Sequence, residues 1–147
     1  MATVDYMVLA DTATAAEGKL YIHGAGWDSI ASASFPVQHP HMSVAFLVRV
    51  PWSETNQPHE IELDVLDQDG ASILPADRVL KGRLNVGRPV ELPQGEDQIF
   101  PFVLNVAGLQ IEKPGSYVIA FRIDGMEAAR SRFRVVPLSL NVTLGAA

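Results

Sequence analysis

Apolar and polar residues alternate along Gly115–Val136 in two runs joined at Asp124-Gly125. Tyr117, Ile119, Phe121 and Ile123 share one side of the first run, with Val118, Ala120 and Arg122 on the other. In the second, Ala129, Ser131, Phe133 and Val135 alternate with Arg130, Arg132 and Arg134. A period of two predicts strands, because successive side chains of a pleated chain point to opposite faces. Directly opposed residues of an antiparallel pair share a face. A two-residue turn would set Ile123 against Met126 and carry Ile119 opposite Arg130, mixing the faces. A three-residue connection, Ile123-Asp124-Gly125 with Gly125 left-handed in a bulge, sets Ile119 opposite Ala129 and Tyr117 opposite Ser131. It keeps Arg122 and the three later arginines on one outward face. The bulged turn is therefore the expectation.

Further runs predict strands at Asp5–Ala10, Lys19–Trp27, Met42–Val50, His59–Leu66, Leu80–Val86 and Gln98–Val106, with a ninth at Ser139–Leu144. Short strands at such spacing point to a sandwich or barrel. Met42, Val44, Phe46 and Val48 form one side of their strand. Its expected partner, His59–Leu66, turns Ile61, Leu63 and Val65 inward and Glu60, Glu62 and Asp64 outward. Between strands, Asp11–Gly18 is expected to form a helical turn, and Ser29–His41, with Pro36 and Pro40, a crossover between sheets. Pro51–Pro58 reads as a proline-bracketed loop displaying Trp52. Asp67-Gln68-Asp69-Gly70 is a turn signal, and a short helix is expected around Pro75–Val79. Pro114-Gly115 turns the chain just ahead of Tyr117. A tyrosine at a strand start commonly hydrogen-bonds back across a sandwich corner, so a corner staple is expected there rather than a site hydroxyl.

At 147 residues the chain suits one domain that buries roughly two-thirds of its extended surface. No repeat, linker or low-complexity segment divides it. A formal charge of −6 disfavours wholesale binding of nucleic acid or of an anionic membrane. The absence of cysteine removes disulfides, thiol catalysis and thiolate-bound zinc together. MATVDYMVLAD lacks a basic start, and Asp5 and Asp11 interrupt its apolar run, unlike a secretory signal. No window reaches the roughly 18–20 apolar residues of a membrane span. The expectation is a soluble, cytoplasmic protein, bacterial in style.

Gly18-Lys19-Leu20-Tyr21-Ile22-His23-Gly24-Ala25-Gly26-Trp27-Asp28, followed by KPGSYVIAFRIDG at Lys113–Gly125, resembles a family of small uncharacterised bacterial all-β proteins. The resemblance runs over nearly the whole chain and rests on glycine and turn positions. It implies the fold and carries no activity with it.

Candidate chemistry is sparse. His39-Pro40-His41 sets two imidazoles on one side of an extended segment, but zinc usually takes three or four protein ligands. His23, Asp28 or His59 would have to supply the third. Asp64, Asp67 and Asp69 cluster at a strand end, yet Gly70 is not followed by the pattern of a calcium loop. Gly24-Ala25-Gly26 lacks the Lys-Ser/Thr of a phosphate loop, and reads instead as a bulge or a close backbone approach. No nucleophile elbow, HExxH or paired-cysteine motif occurs. No cofactor is called for.

Arginine favours bidentate pairing with carboxylates or phosphates. The row Arg122, Arg130, Arg132 and Arg134 therefore has a natural complement in Glu60, Glu62 and Asp64, within one sheet or between copies. The plain alternative is a solvated face that discourages edge-to-edge aggregation. The sequence predicts an antiparallel β-sandwich of seven to nine strands, immunoglobulin-like or C2-like, without catalytic machinery. The expected role is binding or assembly through the sheet surface or edges, with a protein partner or a second copy. These rows and Trp52 supply the interaction face. The alternative is a loop-built ligand or metal site, even an enzymatic one, around His23, Asp28, His39 and His41.

Overall fold

Alternating β-branched, aromatic and polar residues build nine strands in the computed structural model, which describes residues 1–138. They are β1 (Thr3–Ala16), β2 (Lys19–Ala25), β3 (Ser29–Ser32), β4 (Val37–Val50), β5 (Pro58–Leu66), β6 (Leu80–Asn85), β7 (Gln98–Ile111), β8 (Gly115–Ile123) and β9 (Met126–Pro137). The first sheet runs β2-β1-β4-β7 and the second β3-β9-β8-β5-β6. Their inner faces interdigitate to form one core. Phe46 of β4 packs against Phe102 of β7 (ring centroids 4.7 Å apart) and, across the sandwich, against Phe121 of β8 (4.4 Å). Met42, Val44, Leu63, Ile119 and Phe133 are fully enclosed beside them. Each such side chain contributes about 1.5–3 kcal/mol by leaving water.

The all-β sandwich expectation holds, but the pairing is not wholly antiparallel: β3 lies parallel to β9, Ser29 opposite Arg134 and Ser32 opposite Pro137. The second sheet is therefore mixed. Nor are β4 and β5 partners. The Pro51–Pro58 loop carries the chain from one sheet to the other, so β4 pairs with β1 and β7 while β5 pairs with β6 and β8. Asp11–Gly18 forms no helical turn. Its alternating threonines extend β1 to Ala16, and Glu17-Gly18, both at positive φ (52° and 72°), make a two-residue turn into β2. The Ser29–His41 crossover does pass between sheets but contains β3 and the first part of β4. Around Pro75–Val79 there is a turn, closed by the Arg78 amide on the Pro75 carbonyl 2.8 Å away, and no helix. The run Ser139–Leu144 lies outside the described residues.

The β8–β9 hairpin corrects the expected register while keeping its consequence. Asp124 and Gly125 (φ 51° and 80°) form a two-residue turn, and Ile123 faces Met126. The extra residue sits further along, where the register shifts between Phe121 and Arg122, so that Ile119 faces Ser131 and Tyr117 faces Phe133. A mirror-image two-residue turn matches strand twist better than a wider loop, and Asp-Gly suits its positive φ values. The bulge that restores the faces therefore moves into the ladder. Tyr117, Ile119, Phe121, Phe133 and Val135 are all buried.

Candidate interaction site

The outward residues of the second sheet form a charged surface whose rows follow from the register. Across β6, β5, β8 and β9, Lys81, Glu62, Arg122 and Glu127 stand in line. Arg122 donates to Glu62 at 3.1 Å, and next to this row Arg83 donates to Glu60 at 2.8 Å. Arg130 forks onto Glu127, and this bond holds the Glu127 carboxyl below its ordinary range. Asp64, opposite Ala120, is buried and accepts the Ser72 hydroxyl at 2.6 Å, so it faces no arginine. The acidic row thus meets arginines within the sheet, at Arg83 and Arg122. Further along β9, Arg132 stands opposite Val118 and Arg134 opposite Ser116. Both are exposed, and neither joins an ion pair among the described residues.

Trp52 is not displayed as expected. It begins a single 3-10 turn, Trp52–Glu54, and is half-buried. The Arg88 guanidinium stacks 3.7 Å from its ring centroid, donating to the Trp52 carbonyl and to the Thr55 hydroxyl, each at 2.7 Å. Trp52 is therefore part of a clamped loop. Next to it lies the pair His59 and Asp124, of which the sequence suggests only His59, as a third zinc ligand. His59 is buried, with Nδ1 2.8 Å from Asp124 Oδ2 and Nε2 2.8 Å from the Glu54 carbonyl. Asp124 Oδ1 accepts the Glu60 amide. A signal existed: His59 lies in phase with Ile61, Leu63 and Val65, so the inward period of β5 already placed it on the core side.

The candidates of the histidine alternative lie on β2, on β4 and just ahead of β3. His23 sits on β2 opposite Thr12, while His41 Nδ1 meets the Asp11 carbonyl at 3.0 Å. The His39 ring lies 6.4 Å from the Trp27 ring, and burial lowers its pKa. Asp28 offers its backbone carbonyl to the Arg134 amide. Among the described residues no three metal-ligating side chains converge. Asp67 accepts the amides of Asp69 and Ala71, which is ordinary turn chemistry. Tyr117 donates to the Lys113 carbonyl at 2.6 Å, the expected corner staple. Gly24 marks the close approach foreseen for the Gly24–Gly26 stretch: a Cβ there would lie 2.3 Å from Asp11 Oδ2.

The chain belongs to DUF6941, a family of unknown function, which it matches over residues 5–136. No curated protein matches its sequence. Among solved structures it is similar to the alkylpurine DNA glycosylase AlkC of Pseudomonas fluorescens, bound to DNA containing an abasic site analogue. The identity is 9% and the TM-score 0.43, over 92% of this chain and 30% of that one. The chain thus spans under a third of that protein's length. No helix of the described residues is long and apolar enough to cross a membrane.

Proposed function

We propose that the chain is a non-catalytic, immunoglobulin-like binding or assembly module of the cytoplasm, meeting a protein partner or a second copy through its second sheet. One observation carries this reading: Glu60 and Glu62 pair with arginines of the sheet and Asp64 with Ser72, whereas Arg132 and Arg134 project without a carboxylate partner among the described residues. Two adjacent guanidinium groups on a rigid strand offer bidentate donors to an acidic protein surface. The net charge of −6 argues against nucleic acid or an anionic membrane as the partner. Buried together at an interface, such charges set specificity and steer association more than they add affinity.

The test is sedimentation sizing of wild type and of the Arg132→Glu/Arg134→Glu variant, alone and with cell extract, at low and high salt. A smaller assembly for the variant at low salt, with folding unchanged, supports the reading. Equal assembly at both salts reduces the row to a solvated face.

A further inference from the structure

The first sheet ends in a long strand that carries no charge. β7 pairs with β4 along its whole length, Val37 opposite Ile111 through Val50 opposite Gln98. Its other edge pairs with no strand among the described residues. Proteins usually blunt such edges with charge, brevity or proline. The other sheet edges follow that rule: β3 has four residues, β2 seven including Lys19, and β6 six including Lys81 and Arg83. β7 has 14 residues, QIFPFVLNVAGLQI, without a single charge. Only Pro101 and the left-handed Gly108 (φ 64°) interrupt it. They bound a window, Phe102–Ala107, whose outer N–H and C=O groups form a ready ladder. At about 3.3 Å per residue it is roughly 20 Å long.

The end of that window, Asn105–Ala107, lines a cleft of 1340 Å³ between β7 and the β5–β6 connection. The volume exceeds the roughly 300–1,000 Å³ of small-molecule pockets. Ile73, Leu74 and Leu80 line its far side, and the inward Val106 and Leu109 its near side. Three carboxylates (Asp67, Asp77, Glu112) and three cations (Arg78, Lys81, Lys113) surround it. None of the six forms an ion pair within the described residues. A polyanion gains nothing from such a balanced rim. A polypeptide, with a hydrogen-bonding backbone and side chains of both signs, matches it.

We infer that this cleft binds an extended polypeptide segment of a partner, which adds as a strand to the free edge of β7 at Phe102–Ala107. Main-chain hydrogen bonds to the edge would supply affinity. Alternate side chains would point into the cleft between the sheets, which selects segments with apolar residues at every second position. The site is separate from the arginines of β9, so it goes beyond the function proposed above and stands or falls independently of it.

The test uses the full chain, isotope-labelled, titrated with a panel of seven-residue peptides alternating Val or Leu with Thr, Lys or Glu. Amide exchange is followed by NMR. The expected result is slowed exchange of alternate β7 amides within Phe102–Ala107. N-methylating the peptide at the positions of one parity should weaken binding at least tenfold, while methylating the other parity leaves it intact. Ala107→Lys, a charge set on the exposed side of the edge, should also weaken binding. Failure of every peptide to bind, binding indifferent to N-methylation, or protection outside β7 overturns the inference. So does protection of the same amides that rises with protein concentration and no peptide, which would assign the edge to a second copy.

Discussion

The buried ring of His59 and the half-exposed carboxylate of Asp124 meet at 2.8 Å, pinning the start of β5 to the β8–β9 turn. The other ring nitrogen faces the Glu54 carbonyl, so both nitrogens meet acceptors and the imidazolium form satisfies both. Burial opposes that charge, but the bonds to Asp124 and Glu54 outweigh it and raise the His59 pKa above 6.5. The same bond lowers the Asp124 pKa below 3.8.

A raised histidine pKa means stabilisation that is complete below pH 6.5 and lost as pH climbs through the folded-state value. A lowered aspartate pKa means stabilisation present above pH 3.8 and lost as pH falls through the folded-state value. The pair therefore supports the fold most between those limits. Urea midpoints should fall from pH 6 to pH 9 in wild type, and the fall should shrink in His59→Gln, which does not titrate. His59→Ala should cost about 1.5–3 kcal/mol at pH 6, near the lower figure because water screens Asp124.

Much of this arrangement is legible in the sequence, and the gaps have physical causes. The period of β8 and β9 assigns every residue to its face, and the need for one extra residue between them follows from that alone. Where the extra residue sits does not, because a bulge at the turn and a bulge in the ladder preserve the same faces. Asp11–Gly18 was ambiguous because alanine favours helix while the intervening threonines favour strand, and pairing with β2 decides between them. The sheet assignment of β5 depends on where the Pro51–Pro58 loop goes. That loop is held by Arg88, which stacks on Trp52 from a distance of 36 positions in the chain. No local pattern announces such a contact.

Arg88 should prove worth more than its charge. Its guanidinium donates at Nε and Nη2 and stacks on Trp52 at once, a geometry an ammonium does not reproduce. Arg88→Ala should cost about 1–3 kcal/mol through the lost charged hydrogen bonds and stacking. Arg88→Lys should recover less than half of it. Equal stability of the lysine variant and wild type in urea unfolding would show that the planar fork is dispensable.

Gly24→Ala should destabilise for two separable reasons. The backbone there has φ 69°, which costs a residue with a side chain about 1–2 kcal/mol. The new Cβ would also collide with the Asp11 side chain. Adding Asp11→Ala to Gly24→Ala should recover part of the loss and leave the backbone part. Thermal unfolding of the single and double variants distinguishes the two. Full recovery would mean the left-handed conformation carries no penalty.

Arginines that pair with carboxylates and those that pair with none among the described residues should respond differently to charge reversal. Arg122 and Glu62 face each other across β8 and β5, both partly exposed, with Lys81 on the far side of Glu62. Exposed pairs are worth about 0–1 kcal/mol, and like charges directly opposite are destabilising by a comparable amount. Glu62→Lys should therefore cost about 1 kcal/mol at low salt, since it sets a cation between two others. Combining it with Arg122→Glu should restore little of that loss, because it re-forms the central pair but sets a carboxylate opposite Glu127, and high salt should shrink both effects. Reversing Arg132 and Arg134 should leave stability within about 0.5 kcal/mol, because Val118 and Ser116 opposite them carry no charge. Equal losses at Glu62 and at the Arg132/Arg134 pair in urea unfolding would show that the free arginines hold the fold, and would remove them from any contact role.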